Sequence, residues 1–103
     1  MVQVPTFCRI TATAASDSPF KVVLTDMWFK FVDIFVLDNS LYMGDINTQD
    51  IPILANDIYY SLEPVNLYDL YFKNYTASSN TRIVIVGPLL TDAQKRELGI
   101  KVV

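Results

Sequence analysis

The chain has 103 residues, of which 51% are hydrophobic and 18% are charged, and it carries a net charge of −3 at pH 7. This length suits one domain with a single core, and so high an apolar share excludes disorder over most of the chain. The 8 basic residues are scattered along the sequence, so no basic face for binding nucleic acid is expected.

Reactive and targeting features are few. The chain has no histidine, and Cys8 is its single cysteine. These counts exclude an internal disulfide and remove the residues that most general bases, nucleophiles and zinc sites use. No apolar run is long enough for a transmembrane helix, and residues 1–9 lack the pattern of a signal peptide. We predict a non-enzymatic protein with no cofactor and no metal, made in the cytoplasm and not in contact with a membrane.

Two strands are predicted in the first quarter of the chain. Phe7–Ala14 alternates between polar and apolar residues, so its even-numbered residues, beginning with Cys8, should face the core. A turn-forming Ser-Asp-Ser-Pro cluster follows, and Phe20–Leu24 is the second predicted strand.

The next apolar cluster lies between two predicted strands, where polar residues are the norm. It consists of Met27, Trp28 and Phe29, and it holds the single tryptophan of the chain. Two interpretations stay open: these side chains fold back on the core, or they form a contact with another subunit or a partner.

The middle of the chain holds three more predicted strands. Phe31–Leu37 is apolar on both faces, which is typical of a strand at the centre of a sandwich or of one that meets another subunit. Leu41–Met43 is a short strand that ends at Gly44, where a backbone angle that other residues resist is expected. Ile51–Leu54 must be short or lie at an edge, because Pro52 has no amide hydrogen to donate.

Three further strands are predicted over Ile58–Leu62, Leu67–Asn74 and Arg82–Val86. About eight short strands separated by regular turn signals predict an all-β fold, an antiparallel β-sandwich, with the jelly roll as one arrangement that fits. Residues 1–103 are expected to form this single domain.

A short helix is predicted over residues 91–99, near the C-terminus. Thr91 and Gln94 have the spacing of a capping box, and Gly99 provides a stop. An apolar tail follows, which contains Ile100, Val102 and Val103. Such a tail must dock somewhere, on this chain or on a neighbouring subunit.

Two groups of side chains are candidate ligand sites. Residues 45–50 are predicted to form a solvated loop; the alternative is that their oxygen-bearing side chains, from Asp45 to Asp50, wrap Ca²⁺, although their spacing departs from that of a helix-loop-helix calcium loop. Tyr59, Tyr71 and Tyr75 are expected to point outward, where they can stack on sugar rings, fill a protein interface or pack across strands.

Five segments carry a resemblance when they are taken in order: IFVL at 34–37, LYMGD at 41–45, DIPIL at 50–54, LYDLYF at 67–72 and RIVIV at 82–86. This order resembles small bacteriophage virion proteins, which are β-rich capsid decoration, cement or head-fibre proteins. The chain departs from their pattern at Asp50, where glycine is usual, at Asn56-Asp57, which stands for a Pro-Gly turn, and in the Gly-free loop at 77–79.

The resemblance implies a structural protein of a virion that binds the major capsid protein of a phage shell as a homo-oligomer, with a trimer favoured. The first candidates for its contact surface are Met27, Trp28, Phe29, Ile100, Val102 and Val103. The alternative is a carbohydrate-binding β-sandwich module that uses the outward tyrosines.

Overall fold

The computed structural model describes residues 7–14, 18–74 and 80–102 of the chain. These residues form nine β-strands, a 3₁₀ turn and one α-helix. The strands are β1 (Phe7–Ala14), β2 (Trp28–Phe29), β3 (Val32–Val36), β4 (Leu41–Gly44), β5 (Ile51–Ile53), β6 (Ile58–Ser61), β7 (Val65–Asn66), β8 (Tyr71–Asn74) and β9 (Thr81–Pro88). The 3₁₀ turn is Leu67–Asp69, and the helix, α1, is Asp92–Glu97.

A four-stranded antiparallel sheet is the larger layer of the fold. Its strand order is β1-β9-β3-β6, so β9 lies in the interior of the sheet with β1 on one side and β3 on the other. Ile83 and Ile85 of β9 point inward and are fully buried. β-branched residues fit such a position because they pack well on a pleated surface.

The second layer is a three-stranded antiparallel sheet with the order β5-β4-β8. Its inward side chains, including Met43 and Phe72, join those of the first sheet, including Ile34 and Ile85, in one buried cluster. A further pair, β2 and β7, forms a separate two-stranded sheet, and Phe29 of β2 also bridges to Leu89, the residue after β9. Two sheets around one apolar core confirm the predicted all-β sandwich, whereas the jelly-roll arrangement is not confirmed.

Several predicted elements match the observed ones closely. β1 has the predicted bounds, and its odd-numbered residues from Phe7 onward are exposed while its even-numbered residues are half-buried or buried. β5 is a short edge strand, as Pro52 requires. In α1 the Thr91 hydroxyl accepts from the Gln94 amide at 3.2 Å, and the Gln94 side chain accepts from the Thr91 amide at 2.9 Å.

The predicted strand at Phe20–Leu24 is wrong. Phe20 alone bridges to Phe72, through two backbone hydrogen bonds of 2.9 Å each. The chain bends immediately afterwards, and the ammonium of Lys21 lies 3.3 Å from the centre of the Tyr68 ring. Val22 and Val23 pack against the core outside any strand, and Leu24 is 85% exposed, so the apolar character of this segment does not indicate a strand.

The predicted strand at Leu67–Asn74 forms only in its second half, as β8. Its first half is the 3₁₀ turn at 67–69, because the Oδ1 atom of Asn66 caps it by accepting from the Tyr68 amide at 3.1 Å. The same oxygen accepts from the Met27 amide at 3.0 Å, and the Asn66 amide group donates to Asp26. One buried asparagine therefore fixes the turn before β8 and the approach to β2.

Candidate interaction surface

The outward-pointing side of the four-stranded sheet is unusually apolar. In β9, Val84 and Val86 point away from the core, opposite Phe35 and Asp33 of β3. Phe35 and Asp33 in turn stand opposite Ile58 and Tyr60 of β6. Residues directly opposite each other in an antiparallel ladder share a face. We call this set the outer apolar face; its apolar members are Phe7, Phe35, Leu37, Ile58, Tyr60, Val84 and Val86.

The edges of this face are open to solvent within a single chain, whereas Val84 near its centre is only 9% exposed. Phe7 is 67% exposed, Tyr60 is 64% exposed and Ile58 is 48% exposed. Between them lies a depression of about 360 Å³, lined by Arg9, Phe35, Leu37, Val84 and Val86. Contiguous apolar surface of this kind marks an interaction site far more often than a scatter of single apolar residues does.

Two opposite charges flank the centre of the outer apolar face. Arg9 of β1 and Asp33 of β3 both stand opposite Val86, on its two sides. Their backbones are two strand spacings apart, about 10 Å, with the Val86 side chain between them. Within residues 7–14, 18–74 and 80–102, the one salt bridge joins Arg82 to Asp38.

Arg82 is the third charge on this side of the sheet, and its own chain satisfies it. Its guanidinium donates to both carboxylate oxygens of Asp38, at 2.9 and 3.0 Å. The Arg82 side chain and its backbone amide hold the pKa of Asp38 below its ordinary value, and the same pair raises the pKa of Arg82. Arg9 and Asp33 are thus the charges of this face that are left for a partner.

The contact residues proposed from the sequence lie elsewhere, and one of them is internal. Phe29 has no exposed surface and belongs to the core, so the interpretation that it folds inward replaces its assignment to a contact surface. Met27 and Trp28 are half-buried beside β7, and Ile100 and Val102 are half-buried after α1. Val103 lies outside the described residues.

The three candidate tyrosines do not form one surface. Tyr59 stands opposite Ile34, whose side chain is fully buried, so the expectation that Tyr59 points outward is wrong and Tyr60 takes the outward position. Tyr71 belongs to the other sheet and lies beneath the ammonium of Lys21, which is 5.1 Å from its ring centre. Tyr75 lies outside the described residues.

The Tyr71 side of the molecule carries a cation–π cluster. Lys21 contacts the rings of both Tyr68 and Tyr71, above a cleft of about 410 Å³ that Asp45 and Asp69 also line. Desolvation by neighbouring atoms lowers the pKa of Lys21, but its interactions with the two tyrosines outweigh this and raise it above the ordinary value. The aromatic faces in this cleft are thus already engaged by a cation of the same chain.

The loop predicted as a possible Ca²⁺ site is organised by hydrogen bonds of its own. One oxygen of Asp45 accepts from the amides of Asn47 and Thr48, at 2.8 and 3.0 Å. The bond from Thr48, which has the larger effect, and the bond from Asn47 hold the pKa of Asp45 below its ordinary value. Gln49 donates to the Asp45 carbonyl at 2.7 Å and is only 8% exposed. The loop is therefore a capped turn, folded onto the end of β4.

Gly44 makes this loop possible by its size and not by its backbone angle. Its φ angle is outside the left-handed region, whereas Gly99 has a φ of 76°. A Cβ atom at Gly44 would collide with the carbonyl oxygen of Thr48 and would lie 2.7 Å from the Cα atom of Gln49. The expected special backbone angle is therefore replaced by a close approach of two backbone segments.

The described part of the chain holds neither a cluster of metal-binding side chains nor a membrane-spanning helix. In ranges 7–14, 18–74 and 80–102, no group of three or more metal-binding side chains comes together. Among those same residues, no helix has the length and apolar character needed to cross a membrane.

The outer apolar face was the feature that sequence reasoning failed to assemble. Its signal was present in β3, whose apolar residues occur on both faces of the strand, and in β9, where Val84 and Val86 break the polar alternation that a solvated face would show. The sequence pattern does not reveal that β9 pairs with both β1 and β3. This pairing brings the residues of the face together.

Comparison with protein-family models, with curated protein sequences and with solved structures finds no match to this chain. What the protein does must therefore be inferred from its own surfaces and chemistry.

Proposed function

We propose that this protein is a structural component of a phage virion, a decoration or cement protein that binds the capsid shell as a homo-oligomer and catalyses no reaction. The observation that carries the proposal is the outer apolar face, where Phe7, Ile58 and Tyr60 stay exposed in the single chain beside a mostly apolar depression. An assembly role accounts for this surface, because contacts between subunits bury exposed apolar side chains.

The build of the sandwich supports the same role. Its two sheets share one continuous buried cluster, so the exposed surfaces are held on a rigid support. A shell presents many identical sites, and a decoration protein that self-associates engages several of them at once, which multiplies a modest single affinity. Attachment of this kind needs surface complementarity and no cofactor.

The carbohydrate-binding alternative lacks a supporting observation. It needs several tyrosines on one shallow face, but Tyr59 packs inward on the four-stranded sheet while Tyr71 lies on the three-stranded sheet against Lys21. Stacking on a sugar requires an open ring face. The described residues therefore support an assembly role better than they support carbohydrate binding.

The test of the proposed function is sedimentation with particles. An antibody raised against the recombinant chain is used to probe density-gradient fractions of a lysate from cells that carry the gene and are producing particles. We expect the chain to co-sediment with the major capsid protein in a fixed ratio, and to shift to the top of the gradient once particles are dissociated. Recovery only at the top before dissociation would contradict the proposal.

A further inference from the structure

We propose that the part of the outer apolar face formed by β1, β9 and β3 binds a second copy of this chain about a two-fold axis that runs along β9, with Arg9 of each copy against Asp33 of the other. β6, with Ile58 and Tyr60, lies outside this overlap. This inference rests on the proposed function, because it names the partner of the same surface.

The symmetry follows from one row of residues across the sheet. Arg9, Val86 and Asp33 stand side by side on β1, β9 and β3. When a second copy is turned over about an axis along β9, its β3 lies above β1 and its β1 lies above β3. Each arginine then faces an aspartate, and Val86 faces Val86. The face is self-complementary in charge, as a two-fold interface requires.

The next row is complementary in size. Thr11, Val84 and Phe35 stand side by side on the same three strands. The same rotation places the large Phe35 ring of one copy above the small Thr11 of the other, and Val84 above Val84. Sheets that pack face to face lie about 10 Å apart, a gap that an arginine and an aspartate can span together.

The charges also favour a second copy over an unrelated apolar partner. An apolar partner surface would bury Arg9 and Asp33 without a counter-charge, which is costly. A basic or acidic partner would satisfy one of them and repel the other. A second copy supplies both counter-charges in one arrangement, and Arg82 needs none because Asp38 already neutralises it.

The size of the contact predicts a reversible association. Three overlapping strands give a contact about 15 Å wide and about 20 Å long. That is at the small end of specific protein interfaces, so the dimer should dissociate on dilution. A trimer, which the family resemblance favours, would need a second, different surface on each copy, whereas this face closes on itself in pairs.

The experiment is sedimentation velocity of the full chain over a wide concentration range, with charge-reversed variants. We expect the mass to rise from one copy to two. Arg9→Asp alone and Asp33→Arg alone each set like charges against each other, so each should weaken dimerisation about tenfold or more. The double variant Arg9→Asp/Asp33→Arg restores opposite charges and should regain most of the affinity. Lys101→Asp, a charge reversal at an exposed residue outside the strands of this face, is the matched control.

A second variant guards against a folding defect at Asp33. Thr11 is exposed, and Thr11→Arg would place a long charged side chain where Phe35 of the second copy must lie. It should give a monomer with an unchanged circular dichroism spectrum and thermal midpoint.

Three outcomes would overturn the inference: a single-copy mass at all concentrations, a mass of three copies, or a dimer that Arg9→Asp and Thr11→Arg leave intact. None of these decides whether the chain co-sediments with virions, so failure of the dimer and failure of the proposed function can be told apart.

Discussion

Thr81 shows how one side chain holds β3 and β9 together at one end of their contact. It is 1% exposed, and its hydroxyl oxygen accepts from the backbone amides of Asp38 and Asn39, at 3.2 and 3.1 Å. These amides belong to the turn that follows β3, while Thr81 is the first residue of β9. The Thr81 hydroxyl oxygen therefore serves as the acceptor for two turn amides that have no backbone carbonyl as partner among the described residues.

Substitution of Thr81 by valine tests this role, because valine keeps the shape and removes the acceptor. Two amides then lose their partner, and we expect the free energy of unfolding to fall by about 1–3 kcal/mol. Urea denaturation followed by circular dichroism is the measurement. Thr25→Val, at an exposed threonine that lies before β2 and outside the strands, serves as control and should change stability by less than about 0.5 kcal/mol. Equal effects at both positions would contradict the assigned role.

The contrast between Thr81 and Thr91 explains what a sequence reveals at this scale. The capping box of Thr91 and Gln94 was predicted because its partners lie 3 residues apart. Thr81 bonds residues 42 and 43 positions away, so its role depends on the pairing of distant strands. Hydrogen bonds between residues close in sequence can be predicted from residue spacing. Those between distant residues can be predicted only when the strand pairing is known.

At the scale of the elements, the packing of the loop at 45–49 against β4 depends directly on Gly44. The loop at 45–49 folds back until its backbone nearly touches the glycine, and the Asp45 carboxylate then closes the turn. Close backbone approach of this kind leaves no space for a side chain.

Gly44→Ala should therefore displace the loop and lower the free energy of unfolding by about 1–3 kcal/mol, the usual cost of overpacking. Gly99→Ala is the matched comparison, since Gly99 has open space around it and only its φ of 76° resists a side chain. Its cost should be about 1 kcal/mol and should leave the loop intact. Thermal unfolding gives both costs, and amide exchange at Asn47 and Thr48 should increase in Gly44→Ala alone. Unchanged exchange there would argue against the close approach.

Strand existence was easier to predict than strand orientation, and β6 shows why. The alternation of Ile58, Tyr59, Tyr60 and Ser61 is the same whichever side faces the core. The register decides, because Tyr59 stands opposite the buried Ile34. A shift of one residue would have exchanged Tyr59 with Tyr60. The same missing information hid the outer apolar face, since its members come from four strands far apart in the chain.

At the scale of the whole molecule, two carboxylates couple the fold to pH. Asp38 bonds Arg82, and Asp45 bonds two amides; both have pKa values below the ordinary 3.8. A carboxyl whose pKa is lower in the folded state binds its proton more readily in the unfolded state. Its stabilising effect is full above the unfolded-state pKa and is lost as pH falls from there through the folded-state pKa.

We therefore expect Asp38→Asn and Asp45→Asn to be less stable than the unmodified chain at pH 7, with the differences shrinking as pH falls below 3.8. Urea unfolding at about pH 7, 5, 3 and 2 measures these differences in the free energy of unfolding. Asp50→Asn, an exposed residue at the end of the same loop, is the control for a simple change of net charge. Differences that stay constant from neutral to acid pH would contradict the assignment.

The interior place of β9 has a consequence for synthesis. β9 is the last strand of the described chain, yet it separates β1 from β3, which pair with each other nowhere in the sheet. While the ribosome is still making the residues before Thr81, both strands carry unpaired backbone groups and apolar side chains, the condition under which nascent chains associate wrongly. Protection of β1 must come late, when β9 emerges and inserts. In refolding experiments, the backbone amides of β1 should therefore gain protection from hydrogen exchange no earlier than those of β9.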